Sequence, residues 1–354
     1  MQEVEWGEYK LGDLFDIENT LSFNKDKLIL GSEYDYVTRT SQNQGVLQET
    51  GFVNQENINK AGNWSLGLLQ MDFFYRDKPW YAGQFVRKIT PKFKLEKSAT
   101  LFLTVTLNKQ KSKLLSMLVR DVDETFLNAI IQLPTKNGKI DFKFMESFTA
   151  DLEDSHIANL DSYLITDRLK DYTLTSEEKQ VLDDFKKEKT EFGEFTYESI
   201  FNKIAQGRRL KKHDQISGNI PFVMAGVTNS GVVNYISNPV ASFPKNSITI
   251  DIFGNTFYRS YDFGAGDDTG IYWNDEKKYS KEAMLFFATS MSKSISGKFD
   301  YGSKLRSSKS LNFKMKLPTK NKKIDFAVIE SLISAIKKLT IKDVVLYTNK
   351  KLGA

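Results

Sequence analysis

Two runs of lysine and arginine are the residues whose types and spacing best suit a chemical role. The first, KIAQGRRLKKH at residues 203–213, has five basic residues with no acid between them: Lys203, Arg208, Arg209, Lys211 and Lys212. The second, residues 298–316, has six basic residues against the single acid Asp300: Lys298, Lys304, Arg306, Lys309, Lys314 and Lys316. Serine and glycine between these charges let main-chain and hydroxyl groups approach phosphates closely. The runs favour contact with a nucleic-acid backbone, although a basic run is also typical of a solvated surface.

Two polar loops, VTRTSQNQG at 37–45 and VMAGVTNSG at 223–231, align between the halves of the chain but differ in their polar residues. Arginine, asparagine and glutamine are the side chains that form paired hydrogen bonds with guanine and adenine edges. Two loops with a common sequence framework but different polar side chains are suited to recognising two different DNA sequences, although turns are polar in most proteins. We predict these DNA contacts: Arg39, Thr40, Gln42, Asn43, Arg76, Arg208, Arg209, Lys211, Lys212, Thr228, Asn229, Arg259, Lys304, Arg306 and Lys309.

Acidic residues offer an alternative function, a nuclease in which carboxylates converge on a divalent metal. Asp251 in a strand-like segment and the pair Asp267 and Asp268 in a glycine-rich loop are the candidates. The aligned text of the first half is GQFV (83–86), so the loop acids have no counterpart there, and a pair that stabilises a turn is favoured. A phosphate-binding GxxxxGK[ST] loop is absent from the sequence. We predict no catalytic and no metal-binding residue, and keep the nuclease and a protein-binding scaffold as alternatives.

The segments that must position these residues occur twice. LPTKNGKIDF at 133–142 and LPTKNKKIDF at 317–326 share nine of ten residues at a separation of 317 − 133 = 184. Phe-Tyr-Arg at 74–76 recurs at 257–259, and the aromatic-Gly-Glu-aromatic segment at 6–9 recurs at 192–195. A colinear series at a nearly fixed offset indicates internal duplication. We call residues 6–133 module one and residues 192–317 module two.

Periodicity predicts the elements of each module and spacer. Residues 247–253 and 101–107 have the β-branched content of strands, and glycine and asparagine predict turns at 43–45, 229–231 and 253–255. Apolar residues spaced by three and four predict helices after each repeated phrase, and TSEE predicts a capped helix starting at Thr175. We expect the two spacer helices to pack together in an elongated, pseudo-two-fold molecule through Phe142, Met145, Ile157, Leu160, Phe326, Ile329, Ile333 and Ile336.

Length and composition restrict the class of protein. A chain of 354 residues with 40% hydrophobic residues is consistent with two domains, each able to bury a core. Cysteine is absent and histidine occurs only at His156 and His213, which excludes thiolate metal sites and disfavours histidine-based catalysis. The net charge of +5 permits DNA binding without requiring it. The N-terminal residues lack signal-peptide character and no apolar run reaches 18 residues, so we expect a cytoplasmic protein.

Nearly the whole chain resembles the specificity (S) subunit of type I restriction–modification systems, including the shorter relatives in type IIB-like systems. The resemblance rests on WGEYKLGDLFDI (6–17), FGEFTYESIFNKI (192–204), SITIDIFGNTFYR (247–259) and the doubled LPTK phrase with its following helix. It implies two target recognition domains, each reading one half of an interrupted, asymmetric DNA sequence. It also implies antiparallel spacer helices that set the gap between half-sites and dock methyltransferase subunits.

The resemblance further implies that adenine methylation and cleavage belong to partner methyltransferase and endonuclease subunits. S-adenosylmethionine and magnesium are then expected on those partners, with no cofactor in this chain. The spacers are short and TSEEKQVLDDFKKEK (175–189) has no twin, which favours the compact type IIB-like arrangement and leaves partner stoichiometry open.

The fold class expected is α+β, with two tandem pseudo-symmetric recognition domains, each a mixed β-rich globule, joined by the spacer helices. The predicted divisions are recognition domain 1 at 1–138, a central helical spacer at 139–190, recognition domain 2 at 191–322 and a C-terminal spacer helix at 323–354.

Overall fold

The computed structural model describes residues 4–95 and 99–353. Contacts divide the chain into two compact units, Met1–Asn159 and Leu160–Ala354. Among the described residues, none of the helices is long and apolar enough to span a membrane.

The first unit combines short strands with helices. Its strands are β1 (Glu5–Lys10), β2 (Phe15–Asn19), β3 (Tyr34–Val37), β4 (Val46–Thr50), β5 (Asn63–Gly67), β6 (Asp72–Arg76), β7 (Trp80–Ala82), β8 (Val86–Pro91), β9 (Ile130–Lys136) and β10 (Lys139–Ile140). Its helices are α1 (Leu11–Leu14), α2 (Ala99–Asn108), α3 (Lys111–Leu115), α4 (Val122–Leu127) and α5 (Phe142–Thr166), the last of which ends in the second unit. The strands form sheets with the orders β1-β9-β10, β2-β8-β5-β6 and β4-β3-β7.

The second unit repeats this plan. After helix α6 (Ser176–Lys186), its strands are β11 (Phe192–Thr196), β12 (Lys203–Gln206), β13 (Ser217–Val223), β14 (Val232–Ile236), β15 (Ser242–Phe243), β16 (Ser247–Asp251), β17 (Thr256–Arg259), β18 (Phe263–Ala265), β19 (Thr269–Trp273), β20 (Lys314–Lys320) and β21 (Lys323–Ile324). Its other helices are α7 (Tyr197–Ile200), α8 (Lys281–Ile295) and α9 (Phe326–Leu352). The sheet orders are β11-β20-β21, β12-β19-β16-β17 and β14-β13-β18-β15.

The two units share topology and register, which confirms the predicted duplication. The four-stranded sheet β2-β8-β5-β6 corresponds strand for strand to β12-β19-β16-β17, and in each unit the third sheet contains one parallel pair, β3 with β7 or β13 with β18. The β5–β6 hairpin pairs Asn63 with Arg76, and the β16–β17 hairpin pairs Ser247 with Arg259. The modules are therefore copies of one α+β fold, with an additional strand, β15, in the second.

The repeated phrase encodes a strand end, a hairpin and a helix start. Strands β9 and β20 have the same sequence of buried and exposed residues, and each places its Leu of LPTK, Leu133 or Leu317, in the core of its unit. Asp141 accepts a hydrogen bond from the Phe144 main chain at 3.0 Å, and Asp325 accepts one from Val328 at 3.1 Å, so each aspartate caps the following helix. The phrase recurs because each residue type meets a local physical requirement.

The single difference within the phrase lies in a left-handed turn. Gly138 has a φ of 73° and its counterpart Lys322 has a φ of 62°. A residue with a Cβ atom is disfavoured there by about 1–2 kcal/mol, which the greater freedom of glycine in the unfolded chain partly offsets. We expect Lys322→Gly to raise the free energy of unfolding by about 0.5–1 kcal/mol and Gly138→Lys to lower it similarly. Urea unfolding measures both, and a stabilising Gly138→Lys would contradict this account.

Helix α2 corrects one prediction. Residues 101–107 were expected to form a strand because of their threonine, valine and leucine content, but they lie within the helix Ala99–Asn108. The buried residues Ala99, Leu103 and Leu107 recur every four positions, so one helix face enters the core. Helical burial outweighs the weak strand propensity of the side chains. The predicted strand at 247–253 is confirmed by β16, which covers its first five residues.

Helix α6 starts as predicted and packs on α9. Thr175 and Glu178 form the reciprocal capping box expected from TSEE. Glu178 also accepts hydrogen bonds from Ser334 at 2.7 Å and Lys338 at 3.0 Å, both on α9. Burial alone raises the pKa of Glu178, but the hydrogen bonds from Thr175, Ser334 and Lys338 outweigh it and hold the pKa below its ordinary value. These contacts fix α6 to the helix of its own unit.

The residues predicted for packing between the spacers divide into two groups. In the first turns of the helices, Met145 is fully buried in the core of the first unit and Ile329 in that of the second, with Phe142 and Phe326 packed against the same cores. These four side chains therefore anchor each helix to its own module. The spacing of apolar residues along a helix could not distinguish this role from packing between the two helices. Farther along, Ile157 is buried, Leu160 and Ile333 are partly buried, and Ile336 is 43% exposed. Antiparallel pairing of the spacer helices stays a prediction.

Candidate nucleic-acid interface

The two polar loops adopt the same uncommon backbone conformation. Asn43, Gln44 and Gly45 have φ values of 46°, 51° and 81°, and the corresponding residues 229–231 have values of 48°, 51° and 81°. The amide of Thr38 donates to the Gly45 carbonyl at 2.8 Å, and the amide of Met224 donates to the Gly231 carbonyl at 2.9 Å. Consecutive left-handed residues other than glycine are energetically unfavourable and cluster at functional sites. The modules therefore present the same strained loop at equivalent positions.

Asn43 and Asn229 support this conformation. The side-chain amide of Asn43 donates to the Val46 carbonyl at 3.1 Å, and that of Asn229 donates to the Val232 carbonyl at 3.3 Å. A paired contact with adenine requires both the amide nitrogen and the amide oxygen. Because the nitrogen already closes the turn in both modules, these asparagines serve the loop frame. This geometry disfavours a paired contact with adenine, and the predicted DNA contact of Asn43 and Asn229 stays a prediction.

Arg76 and Arg259 are buried, which corrects the prediction that they contact DNA. Their exposed fractions are 3% and 1%, so neither guanidinium is accessible to a duplex. Arg76 donates to the Gln44 carbonyl at 2.5 Å, and Arg259 donates to the Ser230 carbonyl at 2.7 Å, in each case at the middle left-handed residue of the loop. Each arginine therefore fixes the loop of its own module through this hydrogen bond, and we call this contact the clamp.

The clamps are held by residues of their own sheets. Arg76 donates to the Ser65 hydroxyl at 2.7 Å and lies over the Phe74 ring, while Arg259 donates to the Thr249 hydroxyl at 3.0 Å and lies over the Phe257 ring. Burial lowers the pKa of Arg76 to about 10, so it remains protonated at neutral pH; burial also lowers the pKa of Arg259. The Phe-Tyr-Arg segment is thus repeated because its arginine is a buried cation that lies over the ring of its phenylalanine in both modules.

In module two, the two basic runs meet at one turn, residues 266–268. The Arg208 amide donates to the Ala265 carbonyl at 2.9 Å, and the Arg306 guanidinium donates to the Asp267 carbonyl at 2.6 Å. Gln206 joins them, since it donates to the Asp267 carbonyl at 3.0 Å and accepts from the Ser307 amide at 3.0 Å. The two basic runs, about a hundred positions apart in sequence, are therefore brought together beside Asp267.

A groove of about 630 Å³ runs beside this turn. Arg209, Lys211 and Lys212 line it, together with the apolar side chains of Met224 and Val233. The remaining predicted cations and loop residues of module two are exposed: Arg208, Thr228, Asn229, Lys304, Arg306 and Lys309. The arrangement offers phosphate-binding charge next to the clamped loop.

The sequence profile described as "Type I restriction modification DNA specificity domain" matches residues 3–161 and again residues 189–347. The chain belongs to this family. The two matches include the two structural modules, so each module is a DNA specificity domain. The predicted resemblance is confirmed.

Two relatives extend the match over the chain. The protein named "Type II restriction enzyme BgcI specificity subunit S.BcgI", from Heyndrickxia coagulans, is 24% identical over 324 residues, which is 90% of both chains. The crystal structure of a type-I restriction–modification system S subunit from M. genitalium has a TM-score of 0.60 at 16% identity. This structural match covers 100% of this chain and 93% of the M. genitalium chain, which shows a common fold.

The specificity domains share the arginine clamp but differ in the other contacts to their loops. In module two, Asp268 accepts a hydrogen bond from the Ala225 amide and Asp251 accepts one from the Gly226 amide, both at 3.0 Å. Asp251 also accepts from the Phe253 and Asn255 amides at 2.8 and 2.9 Å. These carboxylates are therefore engaged by main-chain donors. Of the three candidate nuclease acids, Asp251 and Asp268 are therefore structural supports, whereas Asp267 accepts hydrogen bonds through its main-chain carbonyl. The described residues contain no group of three or more His, Asp or Glu that could hold a metal.

In module one, Gly67 and Phe85 occupy the positions of Asp251 and Asp268. The equivalence follows from register, since the Leu68 amide donates to the Phe85 carbonyl as the Ile252 amide donates to the Asp268 carbonyl, both at 2.9 Å. Arg39 stands at the position of Ala225, and its guanidinium lies 5.2 Å from the centre of the Phe85 ring. Sequence reasoning missed Phe85, although its place opposite the acids of module two was a usable signal.

The predicted contacts of module one are otherwise accessible. Arg39, Gln42 and Asn43 are exposed and Thr40 is half-buried, where its hydroxyl accepts from the Gln42 amide at 3.2 Å. In module one, Phe23 occupies the position of Arg208 in the first basic run. The equivalence follows from matching hydrogen bonds, because the Phe23 amide donates to the Ala82 carbonyl and the Arg208 amide donates to the Ala265 carbonyl. At this position module one therefore lacks the cation that module two carries.

Proposed function

We propose that this chain is the non-catalytic specificity subunit of a restriction–modification complex and reads an interrupted DNA target with one half-site per module. The observation that carries the proposal is the duplicated loop, clamped from below by Arg76 in one module and Arg259 in the other. The clamp and backbone are shared, whereas the exposed side chains at the tips differ. A common frame with different tips is suited to reading two different base sequences.

Charge supports the same function. The converged cations of module two lie beside its loop, so phosphate contacts can set the position of the protein while the loop faces the bases. We further propose that adenine methyltransferase and endonuclease subunits dock on this chain, and that S-adenosylmethionine and magnesium bind to those partners. The antiparallel spacer helices, if paired as we predict, would set the distance between half-sites.

Selection from random duplexes tests the proposal. We expect the full chain with its methyltransferase partner to select a two-part consensus with a fixed gap. Gln42→Ala should change preference in one half and Thr228→Ala in the other, each by about fivefold or more, because both side chains are exposed on clamped loops. A single continuous consensus, or changes in both halves from one substitution, would count against separate half-site readers.

A cleavage assay separates this function from the nuclease alternative. Purified chain alone, incubated with magnesium and duplex DNA, should bind without cutting, because Asp251 and Asp268 are engaged by main-chain donors. Cleavage that is lost in Asp251→Asn would instead establish the nuclease. Failure to bind any duplex at low salt would favour the protein-binding scaffold.

A further inference from the structure

We propose that Arg39, supported by the Phe85 ring, reads a guanine in the half-site of module one. This inference rests on the proposed function and assigns one base class to one of the two modules. The guanidinium of Arg39 lies 5.2 Å from the ring centre, and the ring itself is 53% exposed. Arg39 is exposed, and within the described residues its side chain makes no hydrogen bond or ion pair. Its donors are therefore available to a ligand.

The position of Arg39 on the clamped loop suits base reading. Its guanidinium is planar, and the fork of its N–H groups matches the O6 and N7 acceptors of guanine. The ring also restricts the side chain before binding, which reduces the entropy lost on contact. The Lys25 ammonium, also exposed in module one, has no such fork and suits a phosphate.

Gly67 allows the main chain to place Arg39 there. A Cβ atom built on Gly67 would lie 2.8 Å from the Arg39 Cα, closer than two such atoms can approach. The loop therefore passes directly over the end of β5, next to Phe85. In module two, Asp251 at the equivalent position accepts a main-chain hydrogen bond from Gly226 instead.

Three linked differences separate the modules at this point. Arg39, Gly67 and Phe85 in module one replace Ala225, Asp251 and Asp268 in module two. The second set fixes the loop by hydrogen bonds and presents no long side chain at the position of Arg39. The first set frees this position for a stacked cation. Guanine reading by a stacked arginine therefore belongs to module one.

Selection with the full chain and its methyltransferase partner tests the inference. Wild type should require guanine at one position of one half-site. Arg39→Ala should reduce that discrimination by about 10- to 100-fold while the other half-site keeps its consensus. Arg39→Lys should lose it as well, because lysine keeps the charge without the fork. Phe85→Leu should weaken it with Arg39 still present. Lys25→Ala, the matched control, should lower binding of all duplexes equally.

The outcomes distinguish the inference from the proposed function. A two-part consensus that retains its guanine in Arg39→Ala, or a uniform loss of affinity restored by Arg39→Lys, would overturn guanine reading and leave the proposed function standing. Absence of any two-part consensus in the wild type would overturn both. Thermal unfolding midpoints that match the wild type would show that the substituted chains are folded, as expected for exposed side chains.

Discussion

Replacing Arg208, Arg209, Lys211 and Lys212 together by alanine should lower affinity for every duplex by up to about a thousandfold near physiological salt. This result is expected because the four exposed cations lie on or next to the groove beside the clamped loop of module two. Each phosphate neutralised by a cation contributes about 0.9 to the slope of log affinity against log salt. The slope should therefore fall by up to about 3.6 if all four contact phosphates.

A matched variant separates local from overall charge. Lys179, Lys186, Lys342 and Lys350 are exposed on α6 and α9, and their replacement by alanine changes the net charge by the same amount. That variant should keep most of the affinity. Titration of both variants against specific and random duplexes over a range of salt concentrations provides the measurement. Equal losses in the two variants would mean that the groove is not the phosphate-binding surface.

Replacing Arg259 by methionine should abolish sequence preference in the half-site of module two and destabilise the protein. The substitution leaves the Ser230 carbonyl and the Thr249 hydroxyl without their buried donor, and loss of a partner by a buried group such as the Thr249 hydroxyl costs about 1–3 kcal/mol. Without the clamp, the left-handed residues of the loop lose the contact that offsets their strain. We expect the free energy of unfolding to fall by about 2–4 kcal/mol.

Arg76→Met is the matched variant for module one. Because its clamp is equivalent, it should remove preference in the other half-site while the half-site of module two is still read. Arg259→Lys retains a buried cation without the fork and should give an intermediate loss. Selection from random duplexes and urea unfolding give the two readouts. Direct base contact by Arg259 is excluded by its burial, so a loss confined to one base position would contradict the clamp.

The two arginines also show how a shared frame and a variable tip are combined. The frame consists of a buried arginine on a phenylalanine ring, a left-handed loop and an asparagine that closes it. Side chains outside the frame are free to differ, and they do differ at Arg39 and Ala225. Specificity in this chain is therefore expected to reside in exposed tip residues rather than in the repeated motifs.

Local features of the sequence determined a large part of this protein. The duplicated phrase specified a hairpin and a helix cap, because Asp141 and Asp325 bond amides only three residues away. The Thr175 capping box and the turns at Gly45 and Gly231 are set by neighbours in the same way. The doubling of these signals was sufficient to identify two copies of one fold and the family to which they belong.

Tertiary structure alone decided which charged residues face solvent. Arg259 is buried because Ser230, 29 residues away, lies above it, and no local pattern distinguishes this arginine from an exposed one. Asp251 and Asp268 likewise support the loop because the main-chain amides of residues 225 and 226 donate hydrogen bonds to their carboxylates. Residues 101–107 are helical because one face of the helix is buried in the core. Burial of these charged residues depends on contacts between distant segments, whereas caps and turns depend on neighbours in sequence, so the caps and turns could be predicted and this burial could not.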